Sequence, residues 1–241
     1  MKCSYHSVPP NCRFEIDDAE DEWIFGEKFD YIHGRAILSC FKDPASVFRQ
    51  AFKSLEPGGY LELQDAIFPF LYVGEPPTES PFYKWIDLVV GGAAKSGRPW
   101  NNGQHYKRWL EEIGFENVVE KRFYLPMNTW PKGRYFKQLS LYCQADLLNG
   151  LEAISFRTMG AMGWSVDEIR AFLPAVRKDI HDISIHAYVP LYVTLSFYLK
   201  ESANVLITAS WYMEENQVQP PRLGLWHPVK CELGSFTSLI F

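Results

Sequence analysis

Hydrophobic and polar positions resolve most clearly between Phe29 and Asp65. In KFDYIHG the apolar Phe29, Tyr31 and Ile32 stand between a charged start and a glycine exit, the pattern of a short strand. DPASVFRQAFKSL then changes to a helical period, with Val47, Ala51, Phe52 and Leu55 on one face, Asp43 as cap and Pro44 in the first turn. Pro57, Gly58 and Gly59 stop that helix, and YLELQDA starts a second strand. A strand, a helix and a strand joined this closely predict parallel strands with a right-handed crossover.

The rest of the chain is built around that unit. Upstream, CRFEID alternates as a short strand and runs into the acidic cluster Asp17, Asp18, Glu20, Asp21 and Glu22. Downstream, IFPFLYVGEPPTESPF reads as a loop rich in proline and aromatics, followed by a helix from about Pro81 to Ala94. GQHYKRWLEEIGF is an amphipathic helix with Tyr106, Leu110 and Ile113 on one side and Gly114 as its stop. ENVVEKRFYLP is a strand, and residues 133–185 are helical again. There Ser165 and Glu168 form a capping box ahead of Ile169, Phe172, Leu173 and Val176, and Pro174 is expected to kink or interrupt the helix. HAYVPLYVTL is the last clear strand; the tail beyond it has mixed periodicity and repeats no earlier element.

Composition narrows the function classes. The chain has 241 residues, 47% of them hydrophobic, enough for a sizeable core. With 29 acidic and 24 basic residues its net charge is -5, which gives no global reason to expect nucleic acid as a ligand. Five cysteines lie far apart with no CxxC pair, so neither a zinc site nor a dense disulfide framework is expected, and a reducing compartment fits. No stretch has the length of a signal peptide's apolar region or of a bilayer span, so a soluble protein, cytoplasmic or nuclear and without a membrane partner, is the expectation. Aromatic residues make up 16% of the chain, with eight tryptophans, which suits either a wide apolar pocket or a large packed core.

The segments VPPNCRFEIDDAEDEW, EKFDYIHGRAI, FRQAFKSLEPGGYLELQD, GFENVVEKRFYLPMNTWPKG and IHAYVPLYV resemble, in order and spacing, the fungal LaeA-like methyltransferases. These belong to the class I S-adenosyl-L-methionine-dependent superfamily. The resemblance implies an α/β, Rossmann-like fold in which CRFEIDD is the third strand, FDYIHGR the fourth, YLELQD the fifth, NVVEKRF the sixth and AYVPLYV an antiparallel seventh. It spans residues 8–193 as a partial methyltransferase-like domain, with helical or lid segments at about 66–110 and 127–185, the second inserted between strands six and seven. Residues 194–241 form an atypical C-terminal tail.

Set against the family, the chain lacks the first two strands and the Gly-rich turn that lets backbone approach the methionine part of the cofactor. VVGGAAKSG at Val89 and LEPGG have the wrong context for that turn. A gap is therefore expected between strands three and four, with exposed sheet edges. Two departing ends around a conforming middle lead to the expectation of a truncated or misjoined product, a reading that the encoding transcript tests.

The resemblance also nominates site residues. Asp17 and Asp18, with Ala19 beside them, match the acidic pair that accepts a hydrogen bond from the adenine amino group; a solvated capping run is the plain alternative. His33, Gly34 and Arg35 lie where strand four delivers residues to cofactor and acceptor, and His33 is the candidate general base, or else a packed loop residue. Gln64 and Asp65 end strand five on the same edge and are substrate-orienting candidates. Tyr83, Trp85, Trp100, Trp130 and Trp164 are candidate pocket walls, each singly more readily a core residue, and His186 is a second proton-transfer candidate. No metal site and no hydrolase triad is indicated.

The functional expectation is an S-adenosyl-L-methionine-dependent methyltransferase-family protein of fungal secondary metabolism, with a small-molecule acceptor and an incomplete cofactor site. The alternatives are a non-catalytic regulatory or scaffold protein acting through a protein partner, a methyltransferase-like fold that shapes a substrate without methylating it, and a nonfunctional product.

Overall fold

The computed structural model describes residues 12–14, 16–198, 229–233 and 236–240; the VPPN segment and residues 199–228 lie outside the described residues. In chain order the elements are β1 (Cys12–Phe14), β2 (Phe29–Arg35), α1 (Pro44–Ser54), β3 (Leu55–Ala66), β4 (Leu71–Tyr72), α2 (Pro81–Lys95), α3 (Tyr106–Ile113), β5 (Glu116–Pro126), α4 (Arg134–Ala161), α5 (Val166–His181), β6 (Ala187–Phe197), β7 (Val229–Leu233) and β8 (Phe236–Ile240). The strands form one mixed sheet in the order β1, β7, β8, β2, β3, β6, β4, with β5 also on β6.

The β2–α1–β3 unit is the predicted parallel crossover, pairing Ile32 with Leu61, Gly34 with Leu63 and Arg35 with Gln64. The Asp43 side chain caps α1 by accepting from the Ser46 amide at 3.2 Å. The Pro57–Gly59 turn expected to stop α1 lies inside β3, the helix having ended at Ser54; Gly59 is required there, since a Cβ would stand 2.9 Å from the Glu56 carbonyl and 3.1 Å from that of Asp30. β6 runs antiparallel to β3, β5 lies antiparallel along β6, and β4 continues the edge of β6 past the end of β3.

Because side chains alternate along strands, the sheet has two unlike faces. Ile32, Leu61 and Leu63 point into a core with Val47, Phe48 and Ala51 of α1 and Tyr106 and Leu110 of α3. Gly114, with φ 114°, ends α3 in the left-handed conformation that its sequence position foretold. Tyr31, His33, Glu62 and Gln64 lie on the other face and are only partly buried.

The helices α2, α4 and α5 build a second core around Phe82, Trp85, Leu151, Met159, Leu173 and Val176. Trp85 donates its indole hydrogen to the Ser155 hydroxyl at 2.8 Å, tying α2 to α4. At Gly92 the two helices touch so closely that a Cβ would overlap the Thr158 carbonyl. The Ser165–Glu168 capping box starts α5, and the helix continues through Pro174 to His181 rather than breaking there. Its buried face, Ile169, Leu173, Val176 and Ile180, holds the helix together across the missing amide hydrogen.

The gap expected beside β2 is not what the sheet shows. β8 pairs parallel with β2 over Tyr31–His33, and β7 connects it antiparallel to β1. Both strands come from the tail, whose local pattern gave no strand signal.

Candidate active site

The parallel run of β2 and β3 brings both strand ends to one edge. There the chain turns at Ala36, a non-glycine residue with φ 55°, whose amide donates to the Gln64 carbonyl at 2.9 Å. Next in β3 is Asp65, which is only 1% exposed. Its Oδ2 accepts the Tyr106 hydroxyl at 2.9 Å. Oδ1 has no hydrogen-bond partner, although the amides of Leu38, Ala66 and Ile37 lie close enough to favour its charged form. Burial outweighs those donors and pushes the carboxyl up to about 7. The short 3-10 turn Asn102–His105 packs over it, with Gly103 so near that a Cβ would overlap the Ile67 side chain. Cys40 closes the loop after β2; burial and the Asp65 charge raise its thiol pKa, while Arg157 and Arg98 oppose them.

The acidic segment after β1 is held at this edge. Glu20 accepts from the Lys42 amide at 2.7 Å and the Asp43 amide at 3.1 Å, just ahead of α1. Gln50 of α1 donates to the Ala19 and Asp21 carbonyls and accepts from the Trp23 amide. Asp17 and Asp18 are exposed: Asp17 accepts from the Asp18 amide, and Asp18 from the Glu20 amide through Oδ1. Their remaining oxygens are open to a donor.

His33 lies inside β2, paired with Glu62 on one side and Ile240 on the other, so it is a strand residue and not a loop residue. Its ring stacks on Tyr31 at 6.1 Å. Burial lowers its pKa, with Arg35 acting in the same direction and Glu62 against it, so the neutral imidazole is favoured. Its side chain shares a face with Glu62 and Gln64, opposite to Asp65, and Arg35 beyond it is exposed. Gly34 is buried on the Asp65 face. The predicted edge cluster is thus divided by the sheet itself.

The aromatic candidates also separate. Trp85 is fully buried, and its surface is spent on the core of α2, α4 and α5. Trp164 packs against Phe172 in the same core. Trp130 donates to the Ala187 carbonyl at 3.0 Å and stacks on the exposed His186 at 4.9 Å, forming a pair at the start of β6. With β3 ending opposite Leu191, that pair is some five residues, or about 17 Å, farther along the sheet. Tyr83 stands 6.0 Å from Tyr72 and, with Phe70 and Tyr188, lines a groove of about 410 Å³. Trp100 does line a cavity, one bounded by α2, α4 and the loop after β2.

Sequence reasoning missed Tyr106, Cys40, Arg98 and Arg157. Tyr106 carried a usable signal, since a tyrosine on the buried side of a helix needs a partner for its hydroxyl. For cofactor, the described residues suit the adenosine end through the open carboxylate oxygens on Asp17 and Asp18. Among the described residues no glycine-rich turn leads from a strand into a helix to cradle the methionine end.

Comparison with known proteins adds the family. Residues 3–120 match a methyltransferase domain. The chain is 29% identical over 182 residues to methyltransferase pytC of Aspergillus terreus, covering 75% of this chain and 56% of that protein. It is 31% identical over 181 residues to the probable methyltransferase tdiE of Emericella nidulans, covering 74% and 57%. To the secondary metabolism regulator LAE1 of Cochliobolus heterostrophus it is 27% identical over 187 residues, covering 75% and 61%. The chain therefore spans just over half the length of these relatives. With the parallel β2–α1–β3 unit, the antiparallel β6 and the ordered motifs along them, these matches support a LaeA-like class I methyltransferase.

Proposed function

We propose that this protein acts in S-adenosylmethionine-dependent methyl transfer to a small-molecule acceptor, at the edge where β2 and β3 end under the α2–α4–α5 lid. The observation that carries the reading is the parallel β2–α1–β3 unit, whose carboxyl edge holds the buried Asp65–Tyr106 pair and adjoins, through Ser39, a cavity walled by α2 and α4. When bound, the cofactor supplies an electrophilic methyl group. The chain's part is alignment, which a direct displacement requires before it requires a base. Asp17 and Asp18 hold the adenine amino group, and Asp65 with Tyr106 fixes the loop Ile37–Cys40 that floors the lid cavity.

A second reading is docking to a protein partner. It is favoured by exposed apolar residues at the start of α4, Tyr135 at 72%, Leu141 at 55% and Tyr142 at 51%, and by the regulator among the relatives.

The test is calorimetric titration of S-adenosylmethionine into the purified chain, with circular dichroism establishing that it is folded. Micromolar binding, weakened by Asp17→Asn with Asp18→Asn, supports methyl transfer. A folded chain that binds no cofactor defeats it and leaves the docking reading.

A further inference from the structure

The cavity between α2, α4 and the loop after β2 measures about 270 Å³ and has Ser39, Arg98, Trp100, Ile154, Arg157 and Thr158 on its walls. Its lining contains two guanidinium groups and no carboxylate, in a chain of net charge -5. Arg98 is fixed in place: its Nε donates to the Cys40 carbonyl at 3.1 Å, and its guanidinium stands 3.7 Å from Glu20. Arg157 is exposed and makes no ion pair with any carboxylate among the described residues.

The hydroxyls in the wall sharpen the selectivity. Ser96 gives its hydrogen to the Gly92 carbonyl at 2.8 Å, and Thr158 to that of Ile154 at 2.8 Å. Each therefore presents lone pairs to the cavity, and among the side-chain donors on its wall the guanidiniums alone are charged. Trp100, 8% exposed, with Ile154 and Ala93, supplies apolar wall. The volume is at the small end for ligand pockets, suited to one or two rings.

We propose that this cavity receives a small cyclic or aromatic acid, its carboxylate paired with Arg157 beside Arg98 and its ring against Trp100. The proposal rests on the methyl-transfer reading only for the role of that acid, as acceptor; the binding itself is independent of it. Planar guanidinium groups bind carboxylates through two parallel hydrogen bonds, which a neutral amide cannot reproduce.

The experiment is a titration of the full chain with 4-hydroxybenzoate and with 4-hydroxybenzamide, without S-adenosylmethionine, followed by calorimetry. The acid is expected to bind at least about tenfold more tightly than the amide, and Arg157→Gln to abolish that difference while circular dichroism stays unchanged. Arg134→Gln, at the exposed start of α4, is expected to leave it intact. Equal affinity for acid and amide, binding of neither by a folded chain, or discrimination that survives Arg157→Gln overturns the proposal. So does loss of discrimination in Arg134→Gln, which marks a diffuse charge effect. Displacement of the acid by S-adenosylhomocysteine also overturns it, since the guanidiniums then serve the amino-acid end of the cofactor. Failure of cofactor binding with acid binding retained sinks the methyl-transfer reading alone.

Discussion

Tyr106 donates its hydroxyl hydrogen to Asp65 across 2.9 Å, and each residue is 1% exposed. A carboxyl placed there titrates at about 7, against about 3.9 in an unfolded chain. Between those values the folded state holds more protons than the unfolded one, so the contribution of Asp65 to stability falls as pH rises from about 4 to 7. His33 acts with the opposite sign, since its lowered folded pKa makes the unfolded state the better proton binder. Comparison with Asp65→Asn separates the two. Urea unfolding at pH 4.5, 6 and 7.5 should show the wild-type stability declining relative to the variant, by an amount on the order of a few kcal/mol. Parallel pH profiles for the two proteins would contradict the burial of an ionisable Asp65.

The same pair predicts a pH-dependent effect for Tyr106→Phe. Removing the hydroxyl leaves the ionised carboxylate with backbone amides alone, whereas a protonated Asp65 loses only a neutral partner. The destabilisation should be about 1–3 kcal/mol at pH 8 and smaller at pH 5, because hydrogen bonds to charged groups are the stronger ones. Denaturant melts at the two pH values measure it. An equal loss at both would mean that the hydroxyl fills space rather than solvating charge.

Gly92→Ala tests the contact between α2 and α4. Replacing glycine in the middle of a helix by alanine ordinarily stabilises by about 1 kcal/mol. Here the added Cβ meets the Thr158 carbonyl, which belongs to α4 backbone and cannot rotate away. The expected result is destabilisation by about 1–3 kcal/mol as α2 and α4 are forced apart, the cost of overpacking. Gly163→Ala, a glycine with φ 98° and open space around it, is the control for backbone strain without a clash. A thermal melt in which Gly92→Ala is as stable as the parent would show that the two helices do not touch.

The central unit was legible because its signals agree: alternation in β2, a capped amphipathic α1, and alternation again over Tyr60–Asp65. The end of the helix was not: α1 stops at Ser54, and Leu55, read as helical, and Pro57–Gly59, read as the stop, all lie in β3. The division of the site was also present in that alternation, since neighbouring residues such as Gln64 and Asp65 must face opposite sides of the sheet. What the sequence could not supply was pairing at a distance. Tyr106 and Asp65 stand 41 residues apart, and only the packing of α3 on β3 brings them together. Arg98 and Arg157 line one cavity for a similar reason, the crossing of α2 and α4 at Gly92. β7 and β8 are five residues each, and strands that short take their conformation from the neighbours they pair with.

β8 gives the last prediction. It pairs parallel with Tyr31–His33 of β2, and β7 beside it pairs with β1. Deleting residues 229–241 would strip the hydrogen-bonding partners from one edge of β2 while leaving its other edge on β3 intact. An uncovered edge of a central strand is a template for another chain. The shortened protein should show faster amide exchange along Tyr31–His33 and concentration-dependent self-association by light scattering, while the helical core around Trp85 keeps its protection. Unchanged exchange along β2 would mean that β8 contributes no pairing there.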